Sequence, residues 1–228
     1  MEVYDSLAAS YDARHENPWT RRMRAAERPF LELAFGKVLD VGCGTGYHLR
    51  VFPGAVGVDC SEGMLREARK RGKAVKARAE KLPFAGESFD CALCMFTVFN
   101  QCNAGAAVKE MSRVLKPSGL CIVSVASVYD RNWSFARRLA AKELPRNKTL
   151  LIRKQKVRLR LFTRDEMVTL FARNGFRMEK FRGIFALAVP RWGDSRPLTL
   201  KQRLALLFER AVPGKYGSLY LFAFRKGQ

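Results

Sequence analysis

The stretch "VLDVGCGTGYHL", Val38 to Leu49, constrains what this chain can fold into more than any other. An apolar run carries Asp40 near its end, glycines follow at positions 42, 44 and 46, and a second run resumes at Tyr47. The pattern reads as a buried strand, a tight loop and the start of a helix. Bare glycine backbone lets a ligand approach closely, and the helix start favours a negative group. A dinucleotide fingerprint requires G-x-G-x-x-G, and the position of its last glycine is Tyr47 here. A Walker loop is excluded as well, because no Gly-Lys-Ser/Thr follows.

The flanking sequence places this loop in a repeating frame. Residues 1–35 read as helical, with Pro18 and Pro29 as interruptions. "KVLDVG", "AVGVDC", "KAVKARA", "SFDCALCMF" and "LCIVSVA" read as strands. Between them "YHLRVF" starts a helix, "EGMLREARKRG" is a helix capped by Ser61 and ended by Gly72, and "AGAAVKEMSRVL" is a helix stopped by Lys116-Pro117-Ser118-Gly119. Strands alternating with helices at this spacing predict an α/β fold, a parallel sheet with helices on both faces. Residues 127–162 break the rhythm with a concentration of Arg and Lys. The capped helix "TRDEMVTLFARNGF" and two further strands, near 176–189 and at "SLYLFAFRK", complete the frame.

Asp40 lies beside the loop, and Asp59 ends the second strand. A carboxylate at 40 repels a pyrophosphate but attracts an ammonium group. A carboxylate at 59 is placed to accept hydrogen bonds from two ribose hydroxyls. S-adenosylmethionine (SAM), with an amino acid at one end and a nucleoside at the other, satisfies both.

Further segments follow the loop in order over most of residues 37–176: "GVDCSEGML", "AEKLPFAGESFDCALCMFTVFNQCN", "EMSRVLKPSGLCIVSVAS" and "LFTRDEMVTLFARNGF". Together they resemble the class I SAM-dependent methyltransferases. The resemblance implies a Rossmann-like, seven-stranded, mostly parallel sheet with an antiparallel final hairpin. It implies one domain over 1–228, with 1–35 as a helical lid and 127–162 as a basic substrate-side insertion. By the same resemblance Gly42, Gly44 and Gly46 line the methionine part of SAM, Asp40 sits by its amino group, Asp59 holds the ribose, and Cys60 next to it also belongs to the cofactor site. Tyr11 belongs to the lid over the cofactor. Met64 matches the residue that packs on adenine, a first-turn core position being the other reading. The family's adenine-binding carboxylate is replaced by Arg78, which accepts no hydrogen bond, so that contact passes to the backbone at Ala79 or to Glu80. Phe96 to Asn103 follow the fourth strand, outside the strand ends where ligands bind in such sheets. Asn100 and Gln101 stand where many relatives carry paired histidines, and either hydrogen-bond a substrate or cap the loop.

The acceptor is read from charge and from the first twenty residues. Forty-two basic against 21 acidic residues give a net charge of +21, which predicts attraction to polyanions. "VYDSLAASYDARHENPW" is similar to the opening of the tRNA wobble-uridine carboxymethyl methyltransferases, which implies a tRNA partner and a small activating subunit. Esterifying a carboxymethyl group needs no base, only cations to orient a carboxylate, and Arg14 and Arg131 are the candidates. His15 and His48 offer no convincing base and are candidates for the surface. Tyr11, Trp19, Tyr129 and Trp133 are the rings available for stacking bases or for packing the lid. The central segments are equally close to enzymes that methylate quinone or sterol rings. In that alternative "NWSFARRLAAKEL" is a basic amphipathic helix on an anionic membrane face. The opening residues lack the pattern of a signal peptide, so a soluble cytoplasmic protein is expected. Cys91 and Cys94, three apart on a strand, point to opposite faces and grip no metal; the six cysteines read as small core residues.

Overall fold

A computed structural model describes residues 2–129, 146–152, 155–187 and 197–228. The chain runs α1 (Glu2–His15), α2 (Pro18–Leu31), β1 (Val38–Val41), α3 (Tyr47–Val51), β2 (Val56–Asp59), α4 (Glu62–Ala68), β3 (Lys73–Lys76), β4 (Phe89–Cys94), α5 (Ala104–Val114) and β5 (Leu115–Ala126). It continues through β6 (Asn147–Ile152), β7 (Gln155–Arg160), α6 (Arg164–Ala172), β8 (Phe176–Ile184), α7 (Leu200–Phe208) and β9 (Leu219–Lys226). Seven strands form one sheet in the order β3-β2-β1-β4-β5-β9-β8. The first five are parallel, and β9 runs antiparallel between β5 and β8. This is the Rossmann-like sheet the sequence predicts, including its antiparallel end.

Alternating side chains divide the core between the two faces of the sheet. Leu39, Val41, Ala92, Cys94, Phe222 and Phe224 face one layer, where Phe171 of α6 stacks on Phe224 with ring centroids 3.9 Å apart. Val38, Cys91, Leu93, Leu221 and Ala223 face the other, under Trp19, Met23 and Phe30 of α2. Cys91 and Cys94 therefore lie on opposite faces, and among the described residues all six cysteines are free and no metal-binding cluster occurs.

Local sequence sets most helix boundaries. Asn17 caps α2 by accepting from the backbone N–H of Trp19 and Thr20, with Pro18 at the first position, where its missing N–H is no loss. Pro29 does not interrupt: it lies inside α2, which continues to Leu31. Ser61 caps α4, and Thr163 with Glu166 forms a reciprocal capping box on α6. The Lys116–Gly119 turn falls within the range of β5, with Ser118 at φ 59°.

Two elements go beyond the sequence reading. Within 127–162, β6 and β7 form a separate antiparallel hairpin. Its inner face brings Ile152 and Val157 against Val3, Leu7 and Ala8 of α1. After residue 197, α7 forms behind a second capping box, Thr199 with Gln202.

Candidate active site

The glycine loop is shaped by backbone pairing before any ligand is considered. The N–H groups of Gly42 and Cys43 both donate to the carbonyl of Val58, which folds the loop back over the end of β2. Gly42, Gly44 and Gly46 all have positive φ, at 73°, 53° and 83°, a region closed to most side chains. Their bareness serves different ends. A Cβ at Gly42 would collide with Val98, and one at Gly46 would press on Ala68. A Cβ at Gly44 would meet no atom within 4 Å, because it would stand in the open cavity beside the loop.

That cavity has a volume of about 290 Å³, close to the lower end of the roughly 300–1,000 Å³ range of small-molecule sites. At one end are Asp59, Cys60, Met64, Ala79 and Glu80; Gly42 and Gly44 form an edge; Tyr4, Tyr11 and Phe96 supply rings. Asp59 is central to its construction. Its Oδ2 accepts from the N–H of Gly44 and its Oδ1 from the N–H of Ser61, each at 2.9 Å, tying the loop to the start of α4. Burial nevertheless holds its carboxyl above the ordinary range. Phe96 sits at φ 54°, held there by the bond from its N–H to Ser124 Oγ at 2.7 Å. Glu80 accepts from the Asn103 N–H at 3.1 Å and pairs with Arg78 at 3.3 Å, so that arginine is turned toward a carboxylate.

Helix α1 closes over this cavity through two carboxylates, Asp5, which the sequence places only in the family-like opening, and Asp12, to which it assigns no role. Asp5 accepts from Ser61 Oγ and from the Gly63 N–H, both at 2.7 Å. Gly63 is bare because a Cβ there would come within 2.7 Å of the Asp5 Cα. One helix face further along, Asp12 accepts from Thr45 Oγ1 at 2.7 Å and pairs with Arg71. Residues seven apart share a helix face, so the Asp5–Asp12 spacing was the available signal. Tyr4 adds a third tie, donating to Gln101 Oε1 at 2.9 Å. Asp5 is exposed and Asp12 part-exposed, so solvent screening brings each of these bonds down to about 0.5–1 kcal/mol. The double change Asp5→Ala/Asp12→Ala is therefore expected to speed SAM dissociation by about tenfold or more, measured by stopped-flow fluorescence. An unchanged rate would show that α1 does not hold the cofactor.

The remaining expected residues are distributed differently. Asp40 is buried beneath the loop rather than on the cavity wall, and its Oδ2 lies 3.6 Å from His48 Nδ1. Gly46 caps α3 and is likewise off the wall. Asn100 is buried: its amide donates to the carbonyls of Ala126 at 3.0 Å and Arg160 at 2.5 Å, and its oxygen accepts from the Ala126 N–H at 2.9 Å. It riveted the hairpin to the end of β5 in this fold, so its amide is engaged with backbone. Arg14 is exposed at the end of α1 and does not line the cavity. Arg131 and Trp133 lie outside the described residues, as does most of "NWSFARRLAAKEL".

Both histidines reach the cavity, contrary to the surface expectation. His15 stacks on Tyr11 with centroids 4.1 Å apart and places Nδ1 2.7 Å from the Tyr11 carbonyl. Burial lowers its pKa and favours the neutral ring. His48 is 3% exposed and belongs to a buried polar group with Asp40, Glu27 and Arg24. Burial alone would lower the His48 imidazole, but Asp40, with Glu27 behind it, outweighs burial and raises it. Neither oxygen of Glu27 has a hydrogen-bond partner, nor does Arg24 Nε, whose guanidinium lies 3.8 Å over the Tyr47 ring. Desolvation pushes the Glu27 carboxyl up to about 7.

A bare backbone edge open to a cavity, a buried carboxylate at the end of β2 and surrounding aromatic rings fit SAM. The family model for a methyltransferase domain matches residues 39–123. An uncharacterised protein of Methanocaldococcus jannaschii is 43% identical over 137 residues, which cover 58% of this chain and 53% of that relative. The chain thus spans about half the length of that curated relative. A ubiquinone/menaquinone biosynthesis C-methyltransferase of Ectopseudomonas oleovorans is 36% identical over 138 residues, 52% of this chain and 81% of that one. A SAM-dependent methyltransferase structure from Thermotoga maritima shares the fold with TM-score 0.64 at 22% identity, covering 100% and 99% of the two chains. So does a chain from the complex of the Haloferax volcanii Trm112 methyltransferase activator with a methyltransferase, at TM-score 0.67 and 17% identity, covering 100% and 97%. The chain belongs to the class I SAM-dependent methyltransferases.

Proposed function

We propose that the chain methylates RNA, with the carboxymethyl group of a tRNA wobble uridine as the specific acceptor. The observation that carries this reading is the charge on the β6–β7 hairpin. Strand alternation and register put Lys156, Arg158 and Arg160 on its outer face, while its inner face packs on α1. Among the described residues Lys156 and Arg158 have no ion-pair partner, whereas Arg160 stands 3.9 Å from Glu166. Unpaired cations on the element that backs the lid suit a phosphate backbone, which positions a polyanion without reading its bases.

In this reading the chain's residues bind, orient and exclude water. Gly44, Asp59, Cys60, Met64, Ala79 and Glu80 hold SAM, and α1 shuts it from solvent. SAM supplies an activated methyl group on a sulfonium. Alignment of an already ionised acceptor then contributes much of the acceleration, so no base is required. Arg14 and Arg131 are the cations proposed to orient the carboxylate, and Asn100 acts through the hairpin it fixes. A small activating subunit belongs to this reading, as the Haloferax volcanii complex contains a methyltransferase activator.

A second reading is methylation of a flat apolar molecule such as a quinone. It draws on the ring-lined cavity and on the identity to the quinone-biosynthesis C-methyltransferase of Ectopseudomonas oleovorans. Incubation with labelled SAM and separate RNA, lipid and metabolite fractions decides between them: label in RNA supports the first, and label confined to lipid or metabolites overturns it. For the RNA reading, Lys156→Glu/Arg158→Glu is expected to weaken tRNA binding and reduce the slope of log affinity against log salt by about two. A titration with an unaltered slope would remove the hairpin from the RNA surface.

A further inference from the structure

We propose that α7 is a docking surface for an anionic lipid bilayer, whatever acceptor the cavity serves. The helix "LKQRLALLF" is held to the body through one side: Leu206 is 7% exposed and joins the core layer of Ile184 and Phe185, with Ala205 partly buried beside it. Its other side carries Leu200, Leu204, Leu207 and Phe208, exposed by 74%, 47%, 72% and 66%. These are half of the large apolar side chains that stand exposed among the described residues, gathered on nine consecutive positions. At about 100° per residue they fall on one continuous stripe. Lys201 and Arg203, both exposed, fall on the two opposite borders of that stripe. Among the described residues neither has a carboxylate partner; Arg203 donates from Nε to the Leu198 carbonyl at 3.2 Å.

An apolar ridge bordered by cations on both sides matches the boundary of an anionic membrane. Leucine and phenylalanine enter the acyl region while the long basic side chains reach back to the headgroups. Phosphates of RNA offer nothing to four exposed apolar side chains, so the stripe is not an extension of the basic hairpin. With nine residues α7 is too short to span, and among the described residues no helix is long and apolar enough to cross a membrane. The mode is therefore surface contact. The helix is joined to the cavity by a short chain of contacts. Glu209, directly after α7, accepts from the Phe185 N–H; Phe185 packs edge-on to Trp19 with centroids 5.8 Å apart; and Thr20 lines the cavity.

The test is co-sedimentation of the full chain with vesicles of phosphatidylcholine alone and of phosphatidylcholine mixed about equally with phosphatidylglycerol. Binding to the mixed vesicles and much weaker binding to the neutral ones is expected. Leu204→Asp/Leu207→Asp should lower the mixed-vesicle affinity by about tenfold or more, with the melting temperature unchanged because both side chains are exposed. Lys201→Glu, which leaves the ridge intact, should weaken binding to the mixed vesicles alone. Lys156→Glu/Arg158→Glu on the hairpin should leave most of the vesicle binding in place. Equal vesicle affinity of the native chain and the α7 double variant would overturn the proposal. So would binding lost only in the hairpin variant, or a concentration-dependent dimer that the α7 variant abolishes.

Discussion

Asp59→Ala is expected to weaken SAM binding by about a hundredfold or more, read by isothermal titration. In the proposed site Asp59 accepts from both ribose hydroxyls, and two hydrogen bonds to a charged group amount to about 3–6 kcal/mol. The same carboxylate already accepts from the backbone of Gly44 and Ser61, so its loss also frees the glycine loop. A melting curve separates the two contributions. Reduced affinity in a protein that still melts cooperatively near the native temperature assigns the effect to the ligand. An unaltered Kd would refute the ribose contact outright. A side chain at Gly44 would occupy cavity space without meeting a neighbouring atom, but at φ 53° it would also strain the loop, so its effect combines lost room for the ligand with a disturbed backbone.

The second large effect is on stability and its dependence on pH. Glu27 is fully buried on α2, both oxygens are unbonded, and its carboxyl titrates near 7. In the unfolded chain it titrates at about 4.3. A carboxyl raised on folding binds its proton more tightly in the native state. Stability is thus greatest below the unfolded value and falls as pH rises toward the folded one. His48, also raised on folding, adds stability that is present at low pH and lost as pH rises through its folded value. Both groups make the protein weaker in alkali. Glu27→Gln removes the first contribution, and it should stabilise the chain by about 2–3 kcal/mol more at pH 8 than at pH 5. Urea unfolding at the two pH values measures this directly. A gain of equal size at both would mean that the native carboxyl is not held neutral.

How far these sites could be read from sequence follows from the range of the forces involved. The glycine loop, Asp59 and the helix caps at Ser61 and Thr163 are local features, written within a few residues, and the fold bears out the sheet they predicted. The closure of α1 is not local. Asp5 and Asp12 acquire meaning only when Gly63 and Thr45, more than thirty residues away in the chain, come against them. His48 looked like one more polar residue at a helix start, and only the packing of α2 across α3 buries it against Asp40 and Glu27. The hairpin is read as charge only, although the unbroken basic–apolar alternation from Lys156 to Leu161 is a strand signal within that charge. Helix α7 has equally local signals, the Thr199–Gln202 capping box and four leucines within nine residues.

The ties that hold α1 have a consequence for turnover. Asp12 grips Thr45 of the glycine loop, which lines the cavity, and Asp5 grips Ser61 and Gly63 at the start of α4, between cavity-lining Cys60 and Met64. In the proposed reading SAM enters and spent cofactor leaves past α1, so both of these latches let go once in every cycle. Where that release is slower than methyl transfer, the strength of the latch sets the steady-state rate. A tighter lid would give a slower enzyme.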